Sequence, residues 1–256
     1  MYAFSYLLGK LLVWLRSYAA LGFICLVLGW SLPAQAARIN PQLERQVLEI
    51  IREHPEVLVE SVQAYQQKQR AEIQQAQQLF VQQMTTDPQS VIGDSPTTGS
   101  HDFKILLVEF SDFQCPYCAQ AHATLKQFMA KHQDEVTLVY KHFPLTAIHP
   151  QAMSSAAAAW AAQQQGKFWE YQDALFTNQK RLGEELYLEI AKNLDLDLDK
   201  FKRDRLVGSS AVEKDLQLAQ KLGLSGTPFF VINGETLSGA IELAQMEEVL
   251  TRVRKS

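Results

Sequence analysis

The run KILLVEF (104–110) constrains this chain more than any other stretch, because after Lys104 it is apolar except for one acid. A strand that is apolar on both faces must be covered on both, so it belongs inside a sheet with helices on either side. FSDFQCPYC follows it, then AQAHATLKQFMAKH, which has helical composition, and then a second apolar run, VTLVYKHFPL (136–145). Strand, helix, strand predicts a βαβ unit with a Cys-x-x-Cys at the start of its helix.

That pair is Cys115 and Cys118, with Pro116 and Tyr117 between them. A Cys-x-x-Cys serves as half a metal site, as a structural disulfide or as a redox dithiol. The only other cysteine is Cys25, which sits in the apolar run SYAALGFICLVLGWSL (17–32) and reads as a small hydrophobe. Lys10 and Arg16 precede that run, no acid occurs in residues 1–36, and Ala34-Gln35-Ala36 forms a small-x-small site. These features predict a targeting segment over 1–36, cleaved before Ala37. An uncleaved anchor is the alternative, because the upstream stretch YAFSYLLGKLLVWL is apolar as well. Both readings place the rest of the chain outside the cytoplasm, in the periplasm or a similar compartment, where disulfides persist. With a formal charge of −4 over 256 residues, no basic footprint marks a nucleic-acid partner.

Residues 37–86 read as a helical extension. Asn40 is a good N-cap and Pro41 a good first helical residue, and His54-Pro55 breaks or kinks the helix. Leu58, Val62, Tyr65, Ile73, Ala76, Phe80 and Met84 then recur on one narrow stripe. A stripe that narrow either docks on the rest of the chain or pairs with copies of itself. TTDPQSVIGDSPTTGSHD (85–102) is rich in turn formers and reads as a linker or extended edge segment over 87–103, with room for a short strand in DPQSVIGD. Residues 150–222 show no strand signal, and a helical insert is read over about 146–222. SSAAAAWAAQQQGKFWEYQDALF is helical with a stop near Gly166, and EELYLEIAKNLDL, DKFKRDRL and SSAVEKDLQLAQKLG supply further short helices. LSGTPFFVINGETLSGA (224–240) is a hairpin turning at Asn233-Gly234. IELAQMEEVLTRVRKS closes the chain as an amphipathic helix.

VEFSDFQCPYC, YKHFPL, HPQA, GKFWEYQDALF and GTPFFVING together resemble the DsbA-like branch of the thioredoxin-fold oxidoreductases, over residues 104 to 240. The resemblance implies an α/β thioredoxin fold over 104–256 with an inserted helical subdomain, preceded by the helical extension. REHPEVLVESVQAYQQKQ is similar to the amino-terminal extension of some DsbA-like proteins that oligomerise and isomerise disulfides. The implied function is an extracytoplasmic thiol:disulfide oxidoreductase that exchanges disulfides with folding proteins. An oligomeric isomerase or reductase, or a non-catalytic module that holds peptides or a soft metal ion, are the alternatives. No cofactor and no resident metal are expected: His122 lies four residues after Cys118, but nothing nearby completes a zinc set. The implied partners are thiol- or disulfide-bearing proteins, a membrane redox partner that resets the dithiol, and, through 40–84, further copies of the chain.

The residues carrying that chemistry follow position by position. Cys115, at a helix N-terminus, is the nucleophile, because unpaired amides favour a thiolate there. Pro116 costs no hydrogen bond in the first turn, Tyr117 lies in the dipeptide that tunes the redox balance, and Cys118 is the more buried resolving thiol. Glu109, the lone acid of its strand, corresponds to a proton-relay acid, with Lys141 or His142 as a partner, or else meets water at a sheet edge. Thr227-Pro228 resembles the cis-proline loop that faces the dithiol and accepts an extended substrate chain by strand addition. His149 reads as a cap or packing residue, and Phe168, Trp169, Tyr171 and Phe176 as the core of the insert.

Overall fold

The structure, a computed structural model, describes residues 40–255 and falls into two compact units, one ending at Tyr65 and one starting at Gln66. The targeting segment and Cys25 lie outside the described residues. Among those described, no helix is long and apolar enough to cross a membrane.

In the first unit, α1 (Pro41–Glu53) starts where expected, with the Asn40 side chain accepting from the Gln42 amide at 2.9 Å. His54 ends it, and α2 (Pro55–Thr86) begins at once. No residue of α1 is buried. Leu43, Val47, Leu48, Ile50, Val57, Leu58, Val59, Val62 and Tyr65 are all exposed.

The second unit is built on a five-stranded sheet of order β1-β3-β2-β4-β5, from β1 (Thr97–Gly99), β2 (Ile105–Ser111), β3 (Val136–His142), β4 (Phe229–Ile232) and β5 (Glu235–Ser238). β2 and β3 run parallel, and the other pairs are antiparallel. The parallel pair is joined through α4 (Pro116–His132), which completes the βαβ unit. The run 105–110, apolar but for Glu109, becomes the central strand because both its faces are covered. Leu106, Val108 and Phe110 pack with Ala76, Phe80 and Met84 of α2. Leu107 packs with Leu125 and Phe128 of α4 and with Met246, Val249 and Leu250 of α9 (Leu243–Val253). The hairpin turns at Asn233 and Gly234, both at positive φ, and the Asn233 side chain is tied back to Leu106 and Lys104. The thioredoxin fold with its inserted helices is therefore present.

Two expectations change here. The apolar stripe of α2 is divided: Phe80 is buried and packs 6.3 Å from Phe110, ring to ring, and Ile73 packs on Gly223. Ile73 and Phe80 serve their own core and are not free for a second copy, whereas Leu58, Val62 and Tyr65 are. In the stretch 87–103, DPQSVIGD forms helix α3 (Pro88–Ile92) in place of a strand, because Pro88 suits a first helical position and Val91 and Ile92 find burial. The segment after it forms edge strand β1, in keeping with the extended edge alternative read for this stretch.

The insert comprises α5 (Ala152–Gln163), α6 (Phe168–Thr177), α7 (Glu184–Asn193) and α8 (Leu198–Lys221). α8 is one helix of 24 residues where two short ones were expected. It runs through Gly208 because α5 crosses there: a Cβ on Gly208 would meet the Ala157 carbonyl oxygen at 3.0 Å. The helix breaker of the sequence is a contact point in the fold, and the alanine run of α5 supplies the other half of the close approach.

Candidate active site

The end of β2 feeds directly into the first turn of α4. Cys115 is its N-cap, Pro116 its first residue, and the Cys118 and Ala119 amides bond to the Cys115 carbonyl at 3.1 and 3.3 Å. Cys115 and Cys118 are both buried and both free thiols. Tyr117, between them, is 56% exposed. Across the gap, the Thr227 carbonyl oxygen lies 3.3 Å from Cys115 Sγ and accepts its proton while it remains a thiol. The Thr227-Pro228 bond is cis and leads into β4.

The two thiols differ sharply in acidity. Cys115 is lowered from the usual 9.0 to about 5, chiefly by a hydrogen bond from the Cys118 side chain. Burial opposes this, and Thr227 and the first-turn amides of Cys118 and Tyr117 reinforce it. Cys118 is pushed far above its ordinary value, first by burial and then by donating its proton to Cys115. The Asp112 amide approaches Cys118 Sγ at 3.5 Å. The pair therefore holds one thiolate at neutral pH, on the outer sulfur.

Glu109 is fully buried in the central strand, so the edge reading is corrected. Neither of its oxygens has a hydrogen-bond partner. Burial raises it to about 7, and the Ser111 hydroxyl, close by but short of a full hydrogen bond, offsets part of the rise. The expected partners do not pair with it. Lys141 alternates to the other face of β3, where its Nζ lies 3.4 Å from Asp215 and donates to the Ile92 carbonyl at 3.1 Å. His142 shares the face of Glu109, but its ring nitrogens are unpartnered, and burial lowers it to about 3.

Several residues that the sequence reading passed over hold this site in place. Buried Asp112 accepts from the Gln114 amide at 2.8 Å on one oxygen. Its other oxygen accepts from the Leu145 amide at 2.9 Å and from His149 Nδ1 at 2.8 Å. Gln179 Nε2 donates to the carbonyls of Phe113 and Cys115, each at 2.8 Å. Phe113 stacks on Tyr140 at 5.5 Å and meets Phe176 at 5.1 Å. Only the position of Asp112, a polar residue between an apolar strand and a Cys-x-x-Cys, offered a signal. Phe168, Tyr171 and Phe176 join Cys115 and Cys118 in one buried cluster, with Trp169 against its edge. His122 bonds to Asp173 at 2.9 Å and stacks on Phe176. Among the described residues, no group of three or more His, Cys, Asp or Glu side chains gathers as a metal set.

Residues 92–252 match the family model described as thioredoxin, and residues 42–72 match the copper resistance protein ScsC N-terminal domain. Over 144 residues, 55% of this chain, it is 39% identical to Na(+)/H(+) antiporter NhaA 3 of Salinispora tropica, covering 22% of that protein. An NhaA antiporter of Herminiimonas arsenicoxydans is 35% identical over 161 residues, 61% of this chain and 25% of the relative. The chain thus spans about a quarter of the length of the curated relatives it matches. Among solved structures, a thioredoxin-like oxidoreductase from Silicibacter pomeroyi is 32% identical, with 64% of this chain and 94% of that one covered at a TM-score of 0.59. ScsC of Proteus mirabilis, in a transitional conformation, is 25% identical, with 85% and 100% covered at a TM-score of 0.60. The chain belongs to the thioredoxin family, among its thioredoxin-like oxidoreductases.

Proposed function

We propose that this protein is an extracytoplasmic thiol:disulfide oxidoreductase that exchanges disulfides with folding proteins through Cys115 and Cys118. The observation that carries the reading is the asymmetry of the pair: one thiolate-prone sulfur at a helix start, one protonated sulfur behind it. In the oxidised protein, a substrate thiolate attacks Cys115 Sγ. The Cys115–Cys118 bond breaks, a mixed disulfide forms on Cys115, and Cys118 leaves as a thiolate that takes a proton from Glu109. A second substrate thiolate then attacks the substrate sulfur of the mixed disulfide and releases Cys115 as the stabilised thiolate. Two substrate thiols have been oxidised and the dithiol has gained two electrons, which a membrane redox partner removes. Pro116 opens the helix without losing a bond, and Tyr117 offers an exposed ring beside the reacting sulfur. The backbone at Thr227 and Pro228 receives the substrate chain by strand addition. A stabilised thiolate favours the reduced form, so it makes the disulfide oxidising. The equilibrium of the pair with glutathione tests this: a potential as low as thioredoxin's would remove the oxidase direction.

A second reading is favoured by the exposed apolar residues of 40–65 and by the match of 42–72 to an ScsC N-terminal domain. In it, that segment assembles several copies whose dithiols work together as an isomerase. Light scattering and scrambled-substrate refolding of the full chain test it. A monomer at tens of micromolar sinks it and leaves the oxidase reading alone.

A further inference from the structure

Glu109 and Ser111 on β2 stand opposite Tyr140 and His142 on β3 in the parallel register. Side chains two apart on a strand share a face, so the four form one square, and each is at most 3% exposed. Every one carries polar side-chain atoms without a full hydrogen bond: both Glu109 oxygens, the Ser111 and Tyr140 hydroxyls, and both His142 nitrogens. Buried polar groups are ordinarily satisfied. Four unsatisfied ones side by side, next to Cys118, call for a purpose.

We propose that Ser111 is the hydroxyl that passes the proton between Cys118 and Glu109, with Tyr140 as the positioning residue that holds the Glu109 carboxylate when it is charged. This rests on the reading of Glu109 as the proton acceptor for Cys118. Ser111 shares a strand face with Glu109, lies diagonal to Tyr140 in the register, and precedes the Asp112 amide that stands 3.5 Å from Cys118 Sγ; from there its hydroxyl favours the charged forms of Glu109, Cys118 and Tyr140 alike. A hydroxyl both donates and accepts, so it takes the Cys118 proton as it gives its own to the carboxylate. In the reducing direction, the Cys118 thiolate then attacks Cys115. The Cys115–Cys118 bond forms, the bond from Cys115 to the substrate breaks, and the substrate sulfur leaves with the electron pair and takes a proton from solvent. The Ser111 hydroxyl is unchanged at the end.

Tyr140 lies opposite Glu109 in the register. Its ring is wedged between Phe113 and Phe168 at 5.5 and 5.0 Å, and burial and the nearby Glu109 keep its own proton on. It therefore acts as a fixed donor. Of the other groups near Glu109, His142 is neutral, Lys141 pairs with Asp215 on the opposite face, and Phe230 is its β4 neighbour; the Asp112 carboxylate, held by Gln114, Leu145 and His149, and Cys118 act on Tyr140 with the same sign as Glu109 and also keep its proton on.

The test is the rate of mixed-disulfide resolution against pH, measured by rapid mixing on the full-length protein. Ser111→Ala is expected to slow resolution about tenfold at pH 7, and Ser111→Thr, which restores the hydroxyl, to recover most of it. Tyr140→Phe is expected to move the midpoint of the profile up by about one pH unit. In a Glu109→Gln background, neither substitution is expected to change the rate more than about twofold. A Ser111→Ala profile that superimposes on the parent, or that falls equally at every pH and in both backgrounds, overturns the proposal. If Glu109→Gln alone leaves the parent profile unchanged, the Glu109 reading itself fails and takes the proposal with it. If Ser111→Ala does not fold, the Tyr140→Phe shift and its absence in the Glu109→Gln background decide the matter.

Discussion

His149 Nδ1 donates to Asp112 Oδ2 at 2.8 Å, joining the loop after β3 to the residue three positions before Cys115. Asp112 accepts three hydrogen bonds in all, two of them from backbone amides. An asparagine accepts on one side only and turns an NH2 towards donors on the other. Asp112→Asn is expected to destabilise the protein by about 1–3 kcal/mol and to make Cys118 more open to alkylation. Thermal unfolding and timed labelling check both. Unchanged stability and protection would mean that the loop is held elsewhere.

The lowered pKa of Cys115 makes a direct prediction. Thiolate absorbance of the reduced protein should titrate with a midpoint of about 5. Because the folded value lies below the ordinary 9.0, this group stabilises the reduced fold fully above about pH 9, and the contribution is lost as pH falls through about 5. The reduced form should therefore lose stability between pH 7 and pH 4.5, and Cys115→Ser should abolish that part of the loss. Cys118→Ala, which removes the largest cause of the shift, should raise the Cys115 midpoint and trap mixed disulfides. Cys115→Ala should trap none.

Glu109 works with the opposite sign. Its folded value of about 7 lies above the ordinary 4.5, so the buried carboxyl costs nothing below pH 4.5, and its cost grows until about pH 7. Glu109→Gln should raise stability by about 3 kcal/mol at pH 8 and change it little at pH 4. It should also slow turnover between pH 6 and 8. A variant that is equally stabilised at both pH values, or that turns over at the parent rate, would demote Glu109 to a packing residue.

Helix α2 separates two roles that a truncation series can read. Removing residues 40–65 should leave a folded monomer that still exchanges disulfides, since none of the apolar side chains exposed there is needed by the second unit. Phe80→Ala should cost about 3–5 kcal/mol by opening a cavity against Phe110. A Phe80→Ala variant of parent stability, or a 66–256 fragment that fails to fold, would contradict the division of the helix. Sedimentation and chemical denaturation provide the measurements.

The local chemistry of the chain was enough to place its elements. KILLVEF had to be a two-sided strand, Pro116 had to open a helix, Asn233-Gly234 had to turn, and the Cys-x-x-Cys could then only lie at a strand-to-helix junction. Those outcomes depend on neighbours a few residues away. Packing decided the rest. Gly208 looks like a helix breaker, yet it lies inside α8, because only the crossing with Ala157 shows why a side chain is unwelcome there. Ile73 and Phe80 repeat with Leu58, Val62 and Tyr65 in the sequence, but a stripe does not say which of its turns finds a core. Lys141 and His142 are equally plausible partners for Glu109 until the alternation of β3 sends one to each face. The set of polar groups around Cys118 draws on two strands and a helix start, and depends on a register that no local pattern encodes. Burial then sets their proton affinities, and burial is a property of the assembled fold.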